Sequence, residues 1–431
     1  MLIGVCRSGM DGGMAVTKVL SLDGGGTWAL IQVKALMKIY GDVSGHEILK
    51  RFQFVAANSG GSIVLAMMVS GVRLSKILDL FTTEESRRTI FVELPWWQRI
   101  PRLVGLGPQY SAKAKLAGLQ KLLGNVGEMK MSELPEFITK QVGSSPQFLI
   151  TTFGYDRLRA IYLRSNQESL AGSFGGNLDV TLAEAVHAST NAPINYFDAP
   201  AILPSVRCWD GGIGGNNNPV YAALVEVIAN KMADPSDIHV LSIGTGLTFL
   251  PLSGPATDPA LVVAQENPGL GTDIKKIATA VLDDPPDAAT FHSHILLNQP
   301  LPSKGTTETT GTVVRMNPLL QPVKKGGTWD VPEGINLNEF RRLKELGLDG
   351  VEQGDVELIV RFCEEWLVDH VRNQPIRSGP EMQPEIGHGS FSLALEQWRR
   401  FDPSPSNPPT DLNAPNGEKV LGIPIEAVFV G

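Results

Sequence analysis

The chain has 431 residues, 42% of them apolar and 19% charged, with 37 basic against 45 acidic side chains and a formal charge of −8. That length and composition suit a globular protein with a large core. The acidic balance argues against nucleic acid as a partner and gives no general attraction to anionic membranes.

Residues 1–15 read as a loose leader. Residues 16–22 (VTKVLSL) have the β-branched, apolar character of a strand and run into Asp23-Gly24-Gly25-Gly26. Leu30, Val33, Leu36, Met37 and Tyr40 then recur at helical spacing. Residues 52–57 form a second predicted strand. It stops at Asn58-Ser59-Gly60-Gly61 and passes into a helix over 63–70. Two more strands are expected at 148–153 and 160–163, with a turn at Gly154-Tyr155-Asp156, followed by a short helix over 182–189. Asp210-Gly211-Gly212 interrupts an apolar neighbourhood. Asn218 and Pro219 then open a helix over 221–229, as cap and first helical residue. Residues 238–243 (IHVLSI) are a strand closing on Gly244-Thr245-Gly246. Residues 251–330 read mainly as long loops, with a helix near 275–282 and a strand at 312–316. An amphipathic helix is expected over 355–371. After Gln374 the chain turns Pro/Ser/Asn-rich and reads as an extended tail whose end, 420–430, is apolar enough to dock back. Strands alternating with helices, each strand ending on a glycine loop, indicate an α/β fold with a mostly parallel central sheet flanked by helices.

Three cysteines, Cys6, Cys208 and Cys363, stand far apart with no CxxC. Free thiols fit a reducing compartment. The first fourteen residues lack the apolar run of a secretory signal. The longest apolar run, residues 63–69, is too short to span a bilayer. A cytoplasmic protein is expected, with peripheral membrane contact left open.

Three stretches carry candidate chemistry. A strand, a tight turn of small residues and a helix around Ser59 form the geometry of a nucleophile elbow, here Ala57-x-Ser59-x-Gly61. The hydroxyl would project at a helix N-terminus, where orphan N–H groups favour developing negative charge. Taken alone, Asn58 or Ser59 equally suits a helix cap, and a Walker-type phosphate loop lacks its lysine. Gly24, Gly25 and Gly26 free the backbone to present successive N–H donors to an anion, either a phosphate or an oxyanion. Asp23 as a cap on a tight turn is the plainer reading. Asp210 is either a turn residue or the base for a serine. None of the seven histidines (His46, His187, His239, His292, His294, His370, His388) sits on a strand-end loop with a supporting motif. His292 and His294 near Asp283, Asp284 and Asp287 make a weak metal candidate, and no metal is expected.

In their order, "LSLDGGGTW", "AANSGGS", "ASTNAPINYF", "DGGIGGNNNP" and "LSIGTG" resemble the patatin-like phospholipase family, over about residues 16–372. The resemblance implies a three-layer fold, with an acyl hydrolase domain at 16–373 and a Pro-rich extension at 374–431. It implies a Ser–Asp dyad without histidine, Ser59 as nucleophile and Asp210 as base. Gly24, Gly25, Gly26 and Gly60 would form the oxyanion and substrate contacts, while Pro193, Tyr196 and Phe197 match a structural stretch beside the site. It implies a phospholipid or other acyl-ester lipid as substrate; the dyad scheme requires no cofactor, and with no ligand loop visible in the sequence calcium is not expected. Two departures stand out: Ala57 replaces the first glycine of the elbow, and Trp28-Ala29 replaces the basic residue and glycine that commonly follow DGGGx. An esterase with a Ser-His-Asp triad and a silent lipid- or phosphate-binding protein remain the alternatives. Trp96 and Trp97, with Arg87, Arg88, Arg99 and Arg102, would suit a lipid interface.

Overall fold

In the computed structural model, described for all residues except 1–15, 96–106, 172–177, 194–195, 266, 303–310, 351, 380–381 and 404–431, an eight-stranded mixed sheet organises the chain. Strand β1 (Thr17–Leu22) lies in the middle. Beside it, in parallel, run β2 (Phe54–Ala57) on one side and β7 (Ile238–Ile243) on the other. Strand β3 (Gln147–Gly154) continues the parallel set from β2. Strands β4 (Arg159–Arg164), β5 (Ala201–Leu203) and β6 (Val206–Asp210) add an antiparallel edge, with β6 against the end of β3. A short β8 (Leu247–Thr248) leaves for a small separate sheet, and β9 (Val313–Met316) returns to flank β7 in parallel.

The central strands are apolar at nearly every position because helices cover both faces. Leu20, Leu22, Val55, Ala57, Leu241 and Ile243 face one core, built with the helices Leu30–Tyr40, Ser59–Val69, Gln353–Leu367 and Phe391–Phe401. Their neighbours Val19, Phe54, Ala56 and Val240 face a second core, built with Val220–Ala229 and the end of Leu270–Leu296. Strand register sets Leu22 beside both Ala57 and Ile243. The loops after β1, β2 and β7 therefore emerge together at the carboxyl edge of the sheet, where open α/β sheets bind ligands.

Two long segments differ from the sequence expectation. The expected helix near 275–282 runs from Leu270 to Leu296, through Pro285 and Pro286. Proline removes helical N–H donors and crowds the preceding turn. The helix continues past them, and the Pro286 carbonyl also accepts from Asn218 Nδ2 at 3.3 Å and from Thr290 Oγ1 at 3.0 Å. The chain after Gln374 is not extended throughout, since Phe391–Phe401 is a helix on the body. Trp398 is fully buried and stacks on Phe52 with ring centroids 5.9 Å apart. Asp402 accepts Lys18 Nζ at 2.7 Å and Tyr40 Oη at 2.9 Å, tying this helix to β1 and the first helix. A charge and a phenol paired inside the fold are costly to separate, because each partner left alone would be buried without compensation. Among the described residues, no helix is long and apolar enough to cross a membrane.

Candidate active site

Strand β2 ends on Ala57, Asn58 is still extended, and Ser59 takes a left-handed φ of 45° as the first residue of the next helix. A non-glycine residue held there is strained, and such strain collects at functional turns. Gly61 shows why the turn needs small residues: a Cβ there would lie 2.6 Å from the carbonyl oxygens of both Leu22 and Asp23. Ala57 is accommodated with no exposure. Asn58 does not cap the helix with its side chain. Its Oδ1 accepts from Thr151 Oγ1 at 2.7 Å, and its Nδ2 donates to Asp210 Oδ1 at 3.1 Å.

Asp210 closes strand β6, brought alongside by pairing with Thr152 of β3. Its carboxylate accepts from Asn58 Nδ2 at 3.1 Å and from the Gly212 amide at 2.8 Å, and the Ser59 side chain lies near enough to draw its carboxyl value down. Its own amide donates to Asn191 O at 3.0 Å, and the Ser59 amide donates to Ser189 Oγ at 2.8 Å. Among the described residues, none of the partners of Ser59 or of Asp210 is a histidine. Burial pushes the Asp210 carboxyl above its ordinary value. The Ser59 side chain, the hydrogen bonds from Gly212 and Asn58, and the charge of Lys115 oppose that rise. The structure thus brings together Ser59 and Asp210, which lie far apart in the chain.

The glycine loop after β1 packs directly on this pair. A Cβ on Gly24 would meet Asn217, Asn58 and the Ser59 Cβ, all within 2.9 Å, so Gly24 supplies room. Its N–H is spent on Asn217 O at 2.8 Å. No protein acceptor among the described residues takes the N–H of Gly25, of Gly26, or of Gly60 in the first turn of the helix. Gly26 has φ 55°, and a Cβ there would sit 2.2 Å from Leu348 O. A Cβ on Gly60 would strike Gly26 O at 2.5 Å, so these two backbones are in contact.

Several residues that sequence reasoning missed hold this loop. Asp23 is not a cap but half of a buried ion pair, with Arg315 NH1 at 2.9 Å from Oδ1 and NH2 at 2.6 Å from Oδ2. Burial raises the Asp23 carboxyl and Arg315 draws it back down. Arg315 also donates to Ser242 Oγ at 2.8 Å, and Gln374 and Asn317 extend the network to the Gly246 amide. The available signal was a lone charge in the apolar strand VVRM, which must find a partner once both faces are covered. Trp28 donates Nε1 to Gly347 O at 3.0 Å. Thr27 donates its amide to Leu348 O at 2.9 Å, so residues 347–349 strap the far side of the loop. Tyr196 belongs to this strap through its hydroxyl, which accepts from Leu348 N–H at 3.4 Å.

The expected lipid-facing cluster fares differently. Arg87 is buried, donating to Phe81 O at 2.9 Å and Gln353 Oε1 at 3.0 Å, and Arg88 pairs with Glu84 at 2.8 Å. A guanidinium consumed by internal carbonyls cannot also serve a lipid surface. Trp96, Trp97, Arg99 and Arg102 lie outside the described residues.

Residues 20–224 match the family described as patatin-like phospholipase. The cUMP-AMP-activated phospholipase of Escherichia coli is 26% identical over 246 residues, covering 56% of this chain and 68% of that protein. Among solved structures, VipD from Legionella pneumophila is similar at 9% identity, covering 81% of this chain and 67% of that one, with a TM-score of 0.30. Human GIVD cytosolic phospholipase A2 is similar at 13% identity, covering 81% of this chain and 57% of that one, with a TM-score of 0.35. Residues 20–224, on a mixed sheet of central parallel strands flanked by helices, carry a patatin-like phospholipase domain.

Proposed function

We propose that the protein is a lipid acyl hydrolase that cleaves fatty-acyl esters, phospholipids foremost, through an acyl-Ser59 intermediate with Asp210 as the only base. The observation that supports this reading is the closeness of the Ser59 side chain to the buried Asp210 carboxylate, with the neighbouring Asn58 Nδ2 donating to Asp210 Oδ1 at 3.1 Å, at a serine held at φ 45°. In the first half-reaction Ser59 Oγ attacks the ester carbonyl carbon and its proton passes to Asp210. The N–H groups of Gly25, Gly26 and Gly60 hold the oxyanion. The tetrahedral intermediate collapses, and the departing alcohol takes the proton from Asp210. Water then attacks the acyl-serine, again losing a proton to Asp210, and the fatty acid leaves as Ser59 regains its hydrogen. Raising the Asp210 carboxyl above its ordinary value makes it a better proton acceptor than a solvated aspartate. The absence of a histidine among the partners of these two residues, within the described residues, favours the dyad over a Ser-His-Asp triad. The work is assigned to the cytoplasm, in peripheral contact with the lipid surface that supplies the substrate.

The test is labelling with a fluorophosphonate probe, coupled to product analysis on phospholipid vesicles. Wild-type protein should take up the probe at Ser59 and release free fatty acid. Labelling that persists undiminished in Ser59→Ala would sink the assignment. Gly26→Ala should also lose about 10²-fold in ester turnover, with donor geometry as the cause. Placing a Cβ at φ 55° against Leu348 O should cost about 1–3 kcal/mol in urea unfolding as well.

A further inference from the structure

Lys115 lies on the fourth position of the helix Ala112–Glu128 and is fully buried, an expensive place for an ammonium unless something there requires it. Its Nζ donates to His187 O at 3.1 Å and to Thr190 Oγ1 at 2.9 Å. It also stands 3.9 Å from the centroid of the Phe197 ring. Thr190 spends its own hydroxyl hydrogen on Val186 O at 2.8 Å, so toward Lys115 it acts as acceptor. Two acceptors and an aromatic face use all three N–H groups of an ammonium. A neutral amine would turn a lone pair on one of them.

What Lys115 grips is the end of the helix Leu182–Ser189 and the turn after it. Two residues of the same turn hold the candidate dyad by its backbone: Ser189 Oγ accepts the Ser59 amide, and Asn191 O accepts the Asp210 amide. We propose that Lys115 is a positioning residue for the dyad, clamping the 187–191 turn that holds Ser59 and Asp210 and supplying the buried positive charge that keeps Asp210 ionised. This rests on the dyad reading above.

The electrostatic surroundings agree. Burial pulls the Lys115 ammonium well below its usual value and the Asp210 charge raises it back, while the Lys115 charge lowers the Asp210 carboxyl in turn. His187, on the gripped helix, is held down at about 2 by burial and by Lys115, so it is neutral. The Cys208 thiol, on the strand leading to Asp210, is pushed up to about 11 by burial and is neutral too. At the start of the Lys115 helix, Asp198 is occupied by the Ala112 amide at 2.8 Å. Asp349 accepts from the Tyr110 hydroxyl at 2.7 Å.

The experiment is the pH profile of kcat/KM for p-nitrophenyl acyl ester hydrolysis by the full chain, in Lys115→Met and in Lys115→Gln. The second variant keeps an N–H donor for the turn and removes only the charge. Removing the positive charge should raise the Asp210 carboxyl and move the acid limb upward by about one pH unit. KM should change less than twofold, because the amine does not touch substrate. A purely structural lysine would lower kcat or Tm and leave the limb in place in both folded variants, and that result would overturn the proposal. Asp210→Asn in the same assay separates the two readings. Retained turnover there overturns the dyad itself, whereas a dead Asp210→Asn beside an unmoved limb in the Lys115 variants overturns only this inference.

Discussion

Asp210→Asn is expected to lose about 10²–10⁴-fold in ester hydrolysis, the contribution of a positioned base, while the protein becomes no less stable. The amide keeps an Oδ1 to accept from Gly212 and Asn58, so local geometry has no reason to collapse. The stability half follows from linkage. Burial raises the Asp210 carboxyl above 3.8 in the folded protein, so between 3.8 and that raised value the folded state binds more proton than the unfolded one. Stability must then fall as pH rises through that window, and the full cost is present at pH 7. A neutral isostere removes that cost. The Tm of Asp210→Asn at pH 7 should equal or exceed that of the parent, and the gap should close at pH values below 3.8. A clear loss of Tm at pH 7 would mean that the carboxylate is structural. Ser59→Ala should likewise abolish turnover while remaining folded.

Arg315→Met is expected to cost about 3–5 kcal/mol, because it leaves Asp23 buried and unpaired. The sidedness of the pH response makes this prediction specific. Without the guanidinium, burial acts unopposed on Asp23 and its carboxyl rises further. A raised folded value means stability is lost as pH rises, so the deficit against wild type should be largest at neutral pH and shrink toward acid. Adding Asp23→Asn should recover much of the loss, since a double-mutant cycle removes the stranded charge together with its partner. Urea unfolding at pH 7 and pH 5 checks both statements. Turnover should fall in the single variant even where it is folded, because Asp23 is the first residue of the loop that carries Gly25 and Gly26.

The legibility of this protein was uneven, for physical reasons. Strands and helices around the motifs were readable because apolar periodicity and glycine punctuation are local signals, and β1, β2, β7 and the helix Leu182–Ser189 lie where those signals put them. The helix Leu270–Leu296 was read short because two prolines end a helix locally. The helix Phe391–Phe401 was hidden beside a Pro-rich stretch, and its docking depends on Phe52, Tyr40 and Lys18 near the other end of the chain. Arg87 was misplaced at the surface because a charged side chain reads as exposed until its internal acceptors are known.

By itself, the sequence determined the order of the strand-loop-helix units and the residue types at each turn, since each motif is a contiguous run whose chemistry is local. The pairing of Ser59 with Asp210 as candidates came from the family resemblance of the motifs taken in order. Only the tertiary structure decided which neighbours make that chemistry workable. It spent the Gly24 amide, braced Asp23 with Arg315, and set Lys115 beneath the turn that ties Ser59 to Asp210. These partners come from separate parts of the chain, and a buried charge shows its effect only when the burial and the partner are both known.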